Sequence, residues 1–466
     1  MKKTDYISTR GQAPVLGFED VILTGLAQDG GLYVPRFLPR LTKNELAGFA
    51  DMTYQQVACT VLPLFMDMPI ERIKTLVQSS YAGFHHEEIA PFARLDEQQW
   101  VMEQFHGPTM AFKDFALQFL GHVFDAVLED KHRHVTIVGA TSGDTGSAAI
   151  AGCRGRESMD IFILHPYNRV SEVQRRQMTT ITDKNVHNIA IEGSFDDCQQ
   201  LIKDMFGDAS FRQDIQMTAV NSINWGRILA QIVYYVYAST RSCMGNQPAS
   251  FVVPTGNFGN IYAGYLAKSI GAPINRLIAA TNRNDILYRF FNTGALEKNT
   301  VVPSLSPSMD IQVSSNLERL MFEAFHRDSA RVRSFMADFQ NSGKVTVPKN
   351  IQNSLAETFA AMRCDDKQTL DVIKDTYKKY NYLLDPHSAT GVHAMQAYME
   401  AEDYKGEDVI TLATAHPAKF PEAVGKATGH SPNLPVFMDG LFEKQERYDI
   451  LPNDLDKVKT YILQRV

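Results

Sequence analysis

The sequence predicts an α/β protein: mostly parallel sheets flanked by helices, preceded by a largely helical N-terminal region. Three observations carry this. From about Leu95 onward, short runs rich in Val and Ile alternate with helical patterns. Several of these runs are followed by a helical stretch, two of them through a glycine-rich loop, and strand–loop–helix repetition is the mark of a parallel sheet. Before Leu95 the grammar differs. Residues 6–90 show helical patterning broken by turn signals at Asp29-Gly-Gly31 and between Pro35 and Pro39. The expected division is 1–92 and 93–466, in keeping with roughly 150 residues per domain as a prior.

Each element has its own warrant. Val135-Thr-Ile-Val138, Ile161-Phe-Ile-Leu164, Phe251-Val-Val253, Leu277-Ile-Ala-Ala280 and Val409-Ile-Thr-Leu412 are short and almost wholly apolar, as strands covered on both faces are. Helices are expected over 146–154, 260–270 and 418–428. Ser194 or Asp196 is placed to cap a helix running through 199–205, and Ser222 or Asn224 to cap one through 228–237. The stretch 293–315, rich in Ser, Pro and Asn, reads as a long loop or lid.

Composition narrows the function classes. At 44% apolar and 21% charged residues the chain has the make-up of an ordinary globular protein, and a net charge of −7 argues against nucleic acid or an anionic membrane as partner. No apolar run approaches the roughly 20 residues of a membrane span. Met1-Lys-Lys is followed by no apolar signal segment, so export is not expected; no long polar leader resembles a regulatory extension, so effector activation is not implied. Cys59, Cys153, Cys198, Cys243 and Cys364 are scattered, with neither zinc spacing nor a disulfide framework. A reducing cytoplasm is the expected compartment. His85-His-Glu-Glu88 reads as a solvated turn and His132-Arg-His134 as a surface flank, so no metal site is expected.

Four segments carry chemistry. His106-Gly-Pro-Thr-Met-Ala-Phe-Lys-Asp-Phe115 puts Lys113 at the start of an apolar helix, sheltered by Phe112 and Phe115. A helix N-terminus and an apolar wall both disfavour the ammonium form, so Lys113 is a candidate nucleophilic amine. After Val138 comes Gly139-Ala-Thr-Ser-Gly-Asp-Thr-Gly146, a strand end, glycine turn and helix start. It lacks the Lys of a phosphate-binding P-loop, sets Ser142 one place late for a nucleophile elbow, and has no dinucleotide fingerprint. An anion site and a plain tight turn both remain open for it. After Val253 comes Pro254-Thr-Gly-Asn-Phe-Gly-Asn260, where Gly256 and Gly259 admit an anion and Asn257 and Asn260 add donors. After Leu412 comes Ala413-Thr-Ala-His-Pro-Ala-Lys-Phe420. Here Thr414 offers a hydroxyl at a strand end, His416 reads as a satisfied turn residue, and Lys419 as a snorkelling surface lysine.

Taken with Tyr6-Ile-Ser-Thr-Arg10, Gly25-Leu-Ala-Gln-Asp-Gly-Gly-Leu-Tyr-Val-Pro35 and Val220-Asn-Ser-Ile-Asn-Trp-Gly-Arg227, these segments resemble the threonine synthase family of fold-type-II pyridoxal-phosphate enzymes. The resemblance runs from the first residues to about 420, and the last roughly 40 residues add little to it. It implies two interleaved α/β domains within 93–466, a pyridoxal 5′-phosphate cofactor, and conversion of O-phospho-L-homoserine and water to L-threonine and phosphate. Lys113 would hold the cofactor as a Schiff base and then act as acid and base. Gly256, Asn257, Phe258, Gly259 and Asn260 would cradle the cofactor phosphate, and Thr414 would meet the ring nitrogen. Thr141, Ser142, Gly143, Asp144 and Thr145 would receive the substrate carboxylate or lie near the phenolic oxygen. Asp144 stands where the wider fold class carries asparagine. Candidates for the substrate phosphate are Arg169 with Ser171, and Asn221, Ser222, Asn224 and Arg227. Asn168 replaces a glycine common in relatives, and asparagine tolerates the same left-handed turn. The rival enzyme reading is a phospholyase or dehydratase of the same fold that gives a keto acid. The rival outside catalysis is a silent ligand-binding relative, against which Lys113 and all three loops stand. No oligomeric state is assigned.

Overall fold

In a computed structural model the described residues are 4–141, 143–241 and 247–466. Two parallel sheets organise the chain. The larger has six strands in the order Phe359–Arg363, Ile274–Thr281, Ala249–Pro254, Val409–Ala413, Gln99–Glu103 and Phe92–Arg94. All its neighbours pair in parallel except the last, where Phe92–Arg94 folds back antiparallel on Gln99–Glu103. The smaller has five parallel strands in the order Asp449–Pro452, Val186–Glu192, Met159–Pro166, Val135–Ala140 and Met217–Thr218. All five strand runs expected from sequence lie in these sheets.

Helix starts follow local chemistry. Ser194 caps Phe195–Gly207 through a reciprocal box with Asp197, and Asn224 caps Trp225–Ser239. Phe258 precedes Gly259–Ile270 in the left-handed region at φ 62°. Asn168 also sits there at φ 57°, so the turn expected of it forms. The helix expected over 418–428 begins later, at Pro421–Thr428, because Pro417–Lys419 winds as a separate 3-10 turn. Among the described residues the N-terminal region has four α-helices, Phe18–Thr24, Lys43–Gly48, Tyr54–Val61 and Ile70–Tyr81, plus an antiparallel pair of Tyr6–Ser8 with Tyr33–Pro35.

The helix Lys113–Lys131 is the axis of the core, buried over most of its length. Tyr54 and Phe115 meet edge-on at 5.4 Å, and Phe84 and Phe115 at 4.9 Å. Such pairs contribute about 0.5–1.5 kcal/mol each beyond simple burial. They fasten the N-terminal helices to the helix that carries Lys113. On its other side it meets Asp144–Cys153 at backbone contact. A methyl carbon on Gly121 would lie 2.1 Å from the Gly152 carbonyl oxygen, and one on Gly152 2.4 Å from that of Leu117. Two glycines therefore set the spacing of the helices that begin with Lys113 and Asp144. No helix among the described residues is long and apolar enough to cross a membrane.

Candidate active site

A cavity of about 320 Å³ opens where loops leave the carboxyl ends of three strands, Val135–Ala140, Ala249–Pro254 and Val409–Ala413. Parallel sheets place ligands at this end. Its wall includes Lys113, Asp144, Thr145, Asn221, Ser222, Arg227, the run 256–260 and Thr414. The fold thus gathers Lys113 and Thr414, far apart in the chain, into one wall.

Lys113 is the first residue of its helix and is buried, with Nζ 5.0 Å from the centre of the Phe112 ring. The turn before it is held by Asp114, which accepts from the Thr109 N–H at 2.8 Å and the Thr109 hydroxyl at 2.7 Å. Burial pulls the Lys113 amine below its usual range, and the nearby charges of Lys419 and Arg227 add to this against the opposing pull of Asp144.

Asp144 begins the helix facing it. Its Oδ1 accepts from Lys419 Nζ and Gln174 Nε2, both at 2.8 Å. Its Oδ2 is 3.4 Å from both Lys113 Nζ and Ser308 Oγ. Burial acts to raise this carboxyl, but the charges of Lys419 and then Lys113 outweigh it and hold it well below the usual carboxylate range. The reading of Lys419 as a snorkelling surface lysine is corrected here. It is fully buried, and its ammonium donates to the Thr109 carbonyl at 2.7 Å as well as to Asp144. Its short 3-10 turn, Pro417–Lys419, is buried, which periodicity does not reveal.

The loop 256–260 leads into a twelve-residue helix whose first N–H groups face the cavity end. A methyl on Gly256 would sit 2.8 Å from the Ser308 carbonyl oxygen, so only glycine fits between that strand and the loop above it. Asn260 Oδ1 accepts from the hydroxyls of Tyr234 at 2.6 Å and Tyr235 at 2.8 Å. That fixes its amide and leaves Nδ2 buried with no partner among the described residues. The Phe258 ring packs on Phe291 and Phe359.

Arg227 is buried with Nε unpaired among the described residues, and burial lowers its guanidinium to about 10. A buried cation on a cavity wall, with no carboxylate partner among the described residues, can take an anionic ligand.

Not every expected residue reaches the cavity. Thr141 turns its hydroxyl inward to accept from the N–H groups of Gly143 and Gly146, each at 2.9 Å, and so braces the loop. Gly143 adopts φ 147° against Gln174, where a side chain would collide. Asn224 spends both ends of its amide on the Ile22 carbonyl and the Gly226 N–H. Arg169 is exposed and away from the cavity wall. Ser142 lies outside the described residues. His416 caps its own turn by accepting from the Ala418 N–H at 3.1 Å, as expected.

A further group went unread in the sequence. Fully buried Asp385 caps the helix Pro386–Met399 and takes hydrogen bonds from His387 Nδ1 at 2.7 Å and from the Ser388 hydroxyl. His387 Nε2 accepts from the Ser308 N–H at 3.2 Å, so Nδ1 carries the proton. Ser388 Oγ in turn accepts from the Thr414 N–H at 3.1 Å. The only signal was Asp385-Pro-His, an acidic cap followed by proline, which announces a helix start and no chemistry.

Three family profiles match the chain: "Threonine synthase N terminus" over 5–81, "Pyridoxal-phosphate dependent enzyme" over 87–415 and "Threonine synthase, C-terminal" over 388–462. The chain is 51% identical over 462 residues to the threonine synthase of Pseudomonas aeruginosa, covering 98% of each. Its fold superposes on the structure of pyridoxal-phosphate-bound threonine synthase from Brucella melitensis with a TM-score of 0.96, at 46% identity and 99% coverage of both chains. The yeast threonine synthase structure gives a TM-score of 0.94 at 37% identity, covering 99% of this chain and 98% of that one.

Proposed function

The chain belongs to the threonine synthase family of pyridoxal-phosphate-dependent lyases, and from that premise we propose that it converts O-phospho-L-homoserine and water to L-threonine and phosphate with Lys113 as the catalytic amine. The observation that carries this reading is one buried lysine of lowered proton affinity sharing a cavity with two separate anion sites, the 256–260 loop and Arg227. The reaction requires both, since the cofactor and the substrate each bring a phosphate.

The cavity fits the cofactor. Glycine-lined backbone at a helix start suits its phosphate, the orphaned Asn260 Nδ2 supplies a side-chain donor beside it, and Thr414 presents a neutral hydroxyl for the ring nitrogen. When bound, pyridoxal phosphate supplies a carbonyl for amines and a ring that withdraws electrons from the substrate. The rest falls to the chain's own residues. Lys113, uncharged, takes the proton from the substrate α-carbon and later returns one there. Arg227, with Asn221 and Ser222 nearby, holds the phosphate that leaves the γ-carbon as a dianion. Thr145 and the loop around it receive the α-carboxylate. A second proton leaves the β-carbon as the phosphate departs, and one is delivered to the γ-carbon, which becomes the methyl group; water then adds at the β-carbon, leaving its hydroxyl there and giving up its remaining proton. The His387–Asp385 pair fixes Ser308 and, through Ser388, the backbone of Thr414. A cytoplasmic setting suits the free thiols of Cys59, Cys153, Cys198 and Cys364.

Lys113→Ala tests the assignment. The variant should fold, lose the visible absorption band of the holoenzyme and lose turnover. Residual turnover near that of the parent would refute the role of Lys113.

A further inference from the structure

We propose that Lys419 is a positioning residue: its buried ammonium holds the Asp144 carboxylate as a fixed anion beside Lys113. The proposal rests on the reading of Lys113 as the lysine that holds the cofactor. It starts from the asymmetry of Asp144. Oδ1 is saturated by two short contacts, Lys419 Nζ and Gln174 Nε2, both at 2.8 Å. Oδ2 has two loose ones at 3.4 Å, Lys113 Nζ and Ser308 Oγ. The carboxylate is thus anchored from behind and left available toward the cavity.

Lys419 itself is absent from the cavity wall and fully buried. Its second bond, 2.7 Å to the Thr109 carbonyl, reaches the turn that delivers Lys113. The same Thr109 grips Asp114 through its N–H and hydroxyl. One ammonium therefore ties together the start of the Lys113 helix, the start of the Asp144 helix and the loop that follows Thr414. As pure scaffold this is a poor solution, since an apolar side chain filling the space beside a neutral partner is often at least as stable.

The arrangement has a consequence for Lys113. A lone buried carboxylate beside a lysine favours the ammonium and opposes catalysis. Lys419 neutralises that carboxylate, so Lys113 gives up its proton without leaving Asp144 unpaired in the interior. The other charged or titratable groups nearby are few. Arg227 faces Lys113 from the helix Trp225–Ser239, His387 faces Asp144 from Pro386–Met399, Asp114 follows Lys113 on its own helix, and His416 stands three residues before Lys419.

The test is a pH titration of the visible absorption band of the holoenzyme, which reports protonation at the Lys113 nitrogen, run beside the kcat/KM profile. Lys419→Met should keep the band but raise both its midpoint and the acid limb of the profile by about one pH unit. Asp144→Asn should lower the midpoint, and Asp144→Asn/Lys419→Met should fall between the two single variants. A midpoint in Lys419→Met equal to that of the parent overturns the proposal. Should Lys419→Met fail to fold, Lys419→Gln, which keeps a hydrogen-bond donor but no charge, is titrated instead: a raised midpoint supports the role of Lys419, and a parental midpoint overturns it. Absence of any band in the parent protein would instead refute the assignment of Lys113.

Discussion

Gly121→Ala, far from the cavity, should damage both stability and turnover. The parent structure leaves 2.1 Å between an ideal methyl carbon on Gly121 and the Gly152 carbonyl oxygen, where ordinary contact begins at 3.4 Å. The obstacle is backbone, so no rotamer change relieves it, and the two helices must separate by roughly 1 Å. Overpacking of this kind costs about 1–3 kcal/mol, and the rigid carbonyl places this case at the upper end. The same separation lengthens the 3.4 Å approach of Lys113 to Asp144, because both residues begin the helices being parted. A displacement near 1 Å at reacting groups lowers turnover by about 100-fold. Urea unfolding followed by far-UV circular dichroism gives the stability change, and steady-state kinetics with saturating cofactor gives the second. Gly83→Ala is the control, since a methyl there meets nothing within 4 Å. A Gly121→Ala protein with the parental unfolding midpoint and kcat would refute the claim that helix contact sets the spacing of the site.

Two further variants probe the charges around the cavity. Arg227→Met should reduce kcat/KM for the phosphorylated substrate by about 10- to 100-fold, the scale of a charge-assisted hydrogen bond. It should leave the unfolding midpoint unchanged or raised, because it removes a buried cation with no acidic partner among the described residues; a lowered midpoint with unchanged kinetics would make Arg227 structural. Asp144→Asn strands Lys419 and should cost about 3–5 kcal/mol of stability at neutral pH. The depressed carboxyl of Asp144 stabilises the parent above the usual carboxylate range, and this is lost as pH falls through its folded value. The difference between parent and variant should therefore shrink in acid, and a gap that widens instead would contradict the assignment of charge.

The sequence was most legible where one physical rule dominates. The strands around Ile137, Ile163, Val252, Ile278 and Thr411 are buried on both faces, so apolar runs betray them. Val186–Glu192, also within a sheet, carries His187 and Asn188 in its run, and it escaped the pattern. The antiparallel pair Tyr6–Ser8 with Tyr33–Pro35 is three residues long on each side and depends on its partner rather than on propensity. Asp449–Pro452 was hidden in a tail that looks uninformative, yet it edges the smaller sheet, and Glu446 before it pairs with Arg175 at 2.8 Å. The site divides in the same way. Loops made of glycine at strand ends signal an anion pocket from local grammar. Lys419, Ser308 and His387 are in the site only because distant loops meet there, and Thr141 and Asn224, chemically plausible as donors, were already committed to holding the backbone.

Product analysis of the purified holoenzyme with O-phospho-L-homoserine tests the central claim most directly. L-threonine and inorganic phosphate should appear in equal amounts, with formation of both abolished in Lys113→Ala. Release of phosphate with 2-oxobutyrate in place of threonine, or no release of phosphate, would contradict it.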